Sequence, residues 1–191
     1  MMRGMAELVR LRVLIDDDLP LLHGWYQTPD LWDHLVGAFQ ARQAAGSLAY
    51  MRRWLTPSAT ERRLAIVRGD DDALLGLTAL SPIEPDTGEA EFHIFLGETA
   101  HRGLGYGRAA TAAMLAHAFD ELALWRVRLK VLQTNEAALR LYAGLGFEPL
   151  GDIAETVEKR GARVAVVAMS VTDAIFRQRQ AAYAALRSAT R

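Results

Sequence analysis

The pattern of apolar and polar positions along the chain predicts seven strands. Residues 8–14 alternate well enough to place successive side chains on opposite faces of a strand. The other segments are short apolar runs bounded by turn-forming residues, such as Gly69 with the three aspartates after it. The predicted strands cover residues 8–14, 63–68, 73–80, 89–96, 127–132, 147–157 and 163–171.

Helical spacing of apolar residues predicts the remaining elements. The aspartates at 16–18 favour a helix start, because negative charge is stabilised at a helix N-terminus. That helix would bury Leu19, Leu22 and Trp25. The tail has little apolar face, so we expect it to be helical or partly mobile. The other helical segments are 29–55 (a broken pattern), 109–122, 135–145 and the tail 173–191.

This order of elements indicates a single α/β domain with a mixed central sheet of about seven strands and flanking helices. The N-terminal half would be mostly antiparallel, with a strand–helix–strand crossover in the middle. A chain of 191 residues is long enough for one large core. We expect the domain to cover residues 1–172, followed by the tail 173–191.

Composition narrows the class of protein. The net charge is −1, so no overall field favours nucleic acid or an anionic membrane as a partner. The chain has no cysteine, which excludes disulfides and a covalent thioester on the enzyme. The residues after Met1 lack the apolar run of a signal peptide, and no apolar run reaches 18 residues. These features predict a cytoplasmic protein.

The strongest chemical signal is a glycine-rich turn between a strand and a helix, Arg102-Gly103-Leu104-Gly105-Tyr106-Gly107-Arg108. Its glycines let the backbone approach a ligand, and the helix behind it directs N–H groups and positive potential at an anion. The two arginines can add charge-assisted hydrogen bonds. The turn could also be a tight connection without a ligand.

Two other phosphate motifs fit this turn poorly. A P-loop needs a lysine and a serine or threonine after its last glycine, but Arg108 and Ala109 stand there. A dinucleotide fold needs a carboxylate at the end of the next strand, where this chain has Gln133 and Thr134.

The turn resembles the Gln/Arg-x-x-Gly-x-Gly/Ala signature of the GNAT superfamily of N-acetyltransferases. A second block, Asn135 to Phe147, is similar to the Asn-x-x-Ala-x-x-x-Tyr run ending in Gly-Phe that this superfamily carries. The resemblance covers roughly residues 90–150, and it looks closest to the branch that includes ribosomal-protein N-terminal acetyltransferases. It implies acetyl transfer from acetyl-CoA to a primary amine.

The resemblance also implies roles for particular residues. The amides of the 102–108 turn would hold the pyrophosphate of acetyl-CoA. The backbone of Phe95, Leu96 and Gly97 would splay from the neighbouring strand and bind the pantetheine arm. Asn135 would contact the cofactor through its amide, although asparagine is also a good N-cap.

Tyr142 matches the residue that protonates the departing thiolate, although it could be only a core aromatic residue. Glu91 is the candidate base. His93 would lie on the same strand face and could form a proton relay with it. A solvated strand face and a packed histidine are the structural alternatives.

The acceptor remains open. Several aromatic and histidine residues of the N-terminal helices could frame its site, although such residues are more often core. The arginines that flank the 56–60 loop could favour an acidic acceptor or the phosphate of CoA, although a solvated loop is the more frequent explanation for such residues. A non-catalytic acyl-CoA sensor, a nucleotide-binding protein and a homodimer are further possibilities. The residues concerned are His23, Trp25, Tyr26, Trp32, His34, Phe39, Arg52, Arg53, Arg62 and Arg63.

Overall fold

The computed structural model describes residues 8–37 and 44–189, and all seven predicted strands form one sheet. The order of strands across the sheet is β1-β2-β3-β4-β5-β7-β6. Every pair is antiparallel except β4 and β5, which confirms the mixed α/β fold. The strands are β1 (Val9–Val13), β2 (Arg62–Arg68), β3 (Leu74–Glu84), β4 (Glu89–Leu96), β5 (Arg126–Leu132), β6 (Glu148–Lys159) and β7 (Ala162–Thr172).

The helices pack on both faces of this sheet. Helix α4 forms the crossover between the parallel strands β4 and β5, and it continues as a π-helical turn, His117–Glu121. No helix in the described part of the chain is long and apolar enough to cross a membrane. The helices are α1 (Leu19–Tyr26), α2 (Pro29–Trp32), α3 (Ala44–Arg52), α4 (Tyr106–Ala116), α5 (Glu136–Gly144) and α6 (Asp173–Ala189).

Two parts of the chain differ from the prediction. The predicted loop 81–88 instead continues β3 to Glu84, because a register shift between Leu80 and Ile83 accommodates Pro82, which has no N–H for the ladder. The tail forms α6 and has more apolar face than expected. Its Phe176 is buried against Phe119, with ring centroids 5.7 Å apart.

The parallel pairing of β4 with β5 is short. Only three residues of β4, Glu89 to Glu91, pair with Arg126 to Arg128 of β5. Beyond Glu91 no pairing joins these two strands, whereas β4 stays paired with β3 as far as Leu96. A wedge therefore opens between β4 and β5 towards the carboxyl end of β4.

A buried carboxylate holds the closed end of this wedge. The side chain of Glu89 is only 7% exposed and forms ion pairs with Arg126 and, at 3.2 Å, with Arg128, both on β5. Arg128 also binds Glu84 of β3 at 2.9 Å. Since a buried charge needs partners to offset its lost hydration, these contacts fix β4 and β5 together at this end.

We expect Glu89→Gln to lower the free energy of unfolding by about 3 kcal/mol, because it removes one charge of a largely buried cluster and leaves two arginines without it. Urea unfolding followed by circular dichroism would measure the change. The control is Glu136→Gln, which removes an exposed ion pair with Arg140 within α5. It should cost under about 0.5 kcal/mol, and an equal loss in both variants would contradict the role of Glu89.

Candidate active site

The wedge between β4 and β5 is part of a cleft of about 1190 Å³. Its lining comes from β4 and β5, the start of α4, helix α5 and the N-terminal helical region. Clefts of this size hold extended ligands, with a few polar groups that set their orientation. Among the described residues, no group of three or more His, Asp or Glu side chains could hold a metal ion.

One edge of β4 faces the wedge with unpaired backbone groups. The N–H of Gly97 donates to the carbonyl of Leu75 on β3 at 2.9 Å. Because hydrogen-bonded and non-bonded positions alternate in an antiparallel ladder, Phe95 also bonds to β3, whereas Leu96 and Ile94 direct their N–H and C=O groups away from it. The sequence predicted a pantetheine-binding backbone at Phe95, Leu96 and Gly97. Of these, only Leu96 directs its N–H into the wedge, and Ile94, which was not predicted, does the same.

The end of β4 rests on a tryptophan ring. A Cβ atom on Gly97 would lie 1.9–2.4 Å from ring atoms of Trp25, so only glycine allows this packing. The indole N–H of Trp25 donates to Glu98 at 2.6 Å, and the ring is 5% exposed. Trp25 therefore supports the end of β4 as a core residue, which is the alternative that the sequence left open for it.

The glycine-rich turn has the backbone geometry of an anion site. Gly103 and Gly105 have φ angles of +75° and +90°, which side chains other than glycine rarely adopt. Gly105 is the N-cap of α4, and the first helical bond runs from Ala109 to its carbonyl at 3.0 Å. The N–H groups of Tyr106 and Gly107 therefore have no carbonyl partner within the helix.

Three other predicted residues of this turn have different surroundings. Gly107 has ordinary helical geometry, and a Cβ there would only touch Leu141 at 3.5 Å, so its backbone does not require glycine. Leu104 is 57% exposed. Arg102 lines the cleft.

Arg108 connects the turn to the helix that carries Tyr142. Its Nη2 donates to the carbonyl of Gly144 at the end of α5 at 3.0 Å. The sequence suggested that this side chain would bind a phosphate, but the structure directs it to α5. The backbone N–H of Arg108 lies in the first turn of α4.

Asn135 is the N-cap of α5, the alternative that the sequence left open. Its Oδ1 accepts from the N–H of Ala138 at 3.2 Å, and its Nδ2 donates to the carbonyl of His34 at 3.4 Å. The residue lines the cleft and joins α5 to the segment after α2.

Tyr142 lies in the cleft wall between Phe92 and Phe147, with ring centroids at 6.4 Å and 5.5 Å. Burial raises the pKa of Tyr142 to about 12, so the hydroxyl is protonated at neutral pH. Within the described chain, nothing forms a hydrogen bond with this hydroxyl. The side chain is thus both a core aromatic residue and a protonated donor in the cleft.

Glu91 and His93 share one face of β4, as the period of two predicts. The Oε1 of Glu91 lies 3.9 Å from the Nε2 of His93. That nitrogen is also 2.7 Å from the carbonyl of Ser81, so Nε2 carries a proton and donates it there. Glu91 is therefore the better placed proton acceptor of the two, and both residues line the cleft.

The other end of the cleft is aromatic. Tyr26 packs edge-on against Trp32, Trp54 and Phe95, with centroids 5.2–5.6 Å apart, and Tyr50 contacts Trp54 at 6.0 Å. Burial raises the pKa of Tyr26 to about 12.

The cleft is lined by Tyr26, Trp32 and His34, which the sequence offered as possible acceptor residues. It is also lined by Tyr50 and Trp54, which the sequence did not indicate. Tyr50 and Trp54 reach the cleft because Trp54 packs against Tyr26 of α1, and no local sequence pattern indicates that contact. His23 is not part of the described lining. Phe39 lies outside the described residues.

The tip of the β6–β7 hairpin holds the segment that carries Trp32 and His34. The Nζ of Lys159 donates to the carbonyls of Trp32, at 2.9 Å, and Gly37, while Arg160 pairs with Asp33. Nothing in the sequence pattern predicted this contact across more than 120 residues.

A GNAT acetyltransferase domain model matches residues 9–148, so this chain belongs to the GNAT acetyltransferase family. Enzymes of this family take acetyl-CoA as their donor. No curated protein matches the chain.

Among solved structures, the chain is similar to a Vibrio cholerae spermidine N-acetyltransferase in complex with CoA and spermine, with 23% identity and a TM-score of 0.80 over 88% of this chain and 98% of that one. A structure of the V. cholerae spermidine/spermine enzyme with manganese ions has 24% identity and a TM-score of 0.75, with coverages of 92% and 99%. A dodecameric form has 24% identity and a TM-score of 0.72, with coverages of 87% and 95%. At this identity the likeness concerns the fold.

We expect Gly97→Ala to lower the free energy of unfolding by about 1–3 kcal/mol, because the added methyl group overlaps the Trp25 ring. Chemical unfolding would measure the loss. Gly24→Ala in α1 is the control, because its φ lies outside the left-handed region and nothing lies within 4 Å of the added methyl group, so it should not lower the free energy of unfolding. Equal losses would show that Trp25 imposes no steric limit.

Alkaline pH should destabilise the fold through its buried tyrosines. Since the pKa of Tyr142 is near 10 unfolded and about 12 folded, its contribution is complete below pH 10 and disappears as pH rises through 12. A shift of this size corresponds to about 3 kcal/mol. Urea unfolding between pH 9 and 12 should show a shallower decline in Tyr142→Phe, and an unchanged decline would contradict the assignment.

Proposed function

We propose that this chain acetylates a primary amine by direct transfer from acetyl-CoA within a ternary complex. The observation that carries the proposal is the wedge beside the glycine turn. Its unpaired β4 backbone leads from the positive end of α4 towards Tyr142. A pyrophosphate fits the N–H groups at the start of α4, and an amide-bearing arm fits the backbone of Leu96 and Ile94.

The residues of the cleft divide the chemistry between them. Glu91, directly or through water, accepts the proton that the ammonium group must lose before its nitrogen can attack. The nitrogen then bonds to the thioester carbon and the carbon–sulfur bond breaks. Backbone N–H groups of the wedge stabilise the negative charge that the carbonyl oxygen acquires in between.

Tyr142 stabilises the departing thiolate. A thiol has a pKa near 8.5, so complete transfer of the proton from a tyrosine with a pKa of about 12 is unfavourable. Tyr142 therefore acts mainly as a hydrogen-bond donor to sulfur as its negative charge develops. The proton that the attacking nitrogen loses as it becomes the amide passes to the thiolate, directly or through water, as the products leave.

The proposal leaves two kinds of acceptor. The resemblance of the sequence supports the ribosomal-protein N-terminal branch, and with it a protein N-terminus. The similar solved structures support a small-molecule amine, since they are polyamine acetyltransferases. Either kind of acceptor would enter at the aromatic end of the cleft, which we call the acceptor end and which is formed by Tyr26, Trp32, Tyr50 and Trp54.

We expect Tyr142→Phe to lower kcat by about 100-fold or more, because it removes the donor to the leaving group. Its dissociation constant for acetyl-CoA should remain within about twofold of that of the parent chain. Release of free CoA thiol would measure kcat, and calorimetry would measure binding.

The control is Trp125→Phe, which removes an aromatic hydrogen-bond donor, bonded to the carbonyl of Thr87 at 2.7 Å, outside the described cleft lining. If acetyl-CoA binds and the amines are acetylated equally by Tyr142→Phe and the parent chain, the role of Tyr142 is wrong. Binding without any turnover would favour the sensor hypothesis.

A further inference from the structure

We infer that the acceptor is a monoamine, with one ammonium group on an apolar body of about the size of an aromatic ring. This inference rests on the proposed acetyl transfer and deepens it. Three observations carry it: the charge balance of the cleft, the aromatic wall, and the positions of two arginines against that wall.

Carboxylates are scarce in the cleft. Among the described residues that line it, only Glu91 and Glu155 are acidic, and Glu155 binds Lys130 at 2.8 Å. Glu91 alone has no such close cationic partner, and its place beside the reaction centre suits the single nitrogen that reacts. A polyamine brings further ammonium groups, and each would need its own anion to offset lost hydration.

Cations exceed carboxylates in the same lining. At the acceptor end these are Arg63 and Lys130, while Arg102, Arg108 and Arg140 lie nearer the turn and α5. Arg63 pairs with Glu61 and Lys130 with Glu155, so a second ammonium group on the acceptor would meet carboxylates that already have cationic partners.

The aromatic wall offers apolar contact instead. Tyr26, Trp32, Tyr50 and Trp54 form a connected group whose rings meet edge to face. Burying an aromatic or aliphatic body of similar size against them gains free energy in proportion to the apolar area removed from water.

Aromatic rings also attract cations, which would favour a polyamine if their faces were free. In this chain the guanidinium group of Arg63 lies over Trp54, 5.4 Å from the ring centroid, and that of Arg53 lies over Tyr50 at 5.8 Å. The protein's own cations thus occupy one face of each of these two rings. The wall therefore accepts apolar surface and disfavours a second positive charge.

The test measures kcat/KM for matched amines at saturating acetyl-CoA. Pentylamine and cadaverine have the same carbon chain with one and two ammonium groups, and spermidine adds a third nitrogen. 2-Phenylethylamine and a peptide beginning with phenylalanine present one ammonium group on an aromatic body, as a free amine and as a chain terminus. We expect pentylamine to exceed cadaverine, and 2-phenylethylamine or the peptide to exceed spermidine, each by at least tenfold.

Two variants separate the wall from its arginines. Tyr50→Ala, at a half-exposed position, should raise KM for the better aromatic substrate at least fivefold with kcat within twofold. Leu21→Ala, equally exposed on α1 and outside the cleft, is its control. Arg63→Gln should reduce the pentylamine-to-cadaverine preference at least threefold. If Arg63→Gln does not fold, the exposed Arg53→Gln gives the same measurement at Tyr50.

Each outcome bears on one claim. Equal or greater kcat/KM for cadaverine or spermidine would overturn the monoamine inference and leave acetyl transfer intact. A KM for the better aromatic substrate that is the same in Tyr50→Ala as in the parent chain would also overturn the monoamine inference. Absence of turnover with all five amines, although acetyl-CoA binds by calorimetry, would overturn the proposed transfer and the inference that rests on it.

Discussion

The candidate site depends on a sheet interaction that ends early. Strands β4 and β5 pair over only three residues each, beside the buried Glu89 and its two arginines. The backbone beyond them has no partner strand on that side, so β4 has free hydrogen-bonding groups inside the fold. An interior edge of this kind is costly unless something binds it, because buried amides need partners. The wedge is thus the point where the fold leaves sheet formation incomplete and leaves a place for an extended ligand.

The two ends of the cleft are supported separately. Near the turn, positive φ angles at two glycines, the Trp25 ring under Gly97 and the Arg108 contact with α5 fix the backbone. At the acceptor end, aromatic side chains from α1, α2, α3 and the turn after it form the wall, and the β6–β7 hairpin holds part of it in place. The donor end is therefore built from backbone geometry, and the acceptor end from side chains that contact one another.

This division explains how much the sequence could predict. The strands, the crossover helix and the turn follow from local periodicity and from glycine positions, and the tyrosine and asparagine were found because their motif is local. Four features depended on contacts between distant residues: Trp25 beneath Gly97, Arg108 on Gly144, Lys159 on Trp32, and the place of Trp54. The spacing of residues along the chain does not indicate such contacts. The same holds for the β4 amides, whose direction follows from the register with β3.

The Arg108 contact with Gly144 has a mechanical consequence. It ties the first turn of α4 to the last residue of α5, two positions after Tyr142. In the proposed mechanism, this contact joins the backbone that would hold the phosphates directly to the helix that carries the hydroxyl facing the sulfur. The distance between those two points then sets the length of donor that can reach both, whatever amine lies opposite.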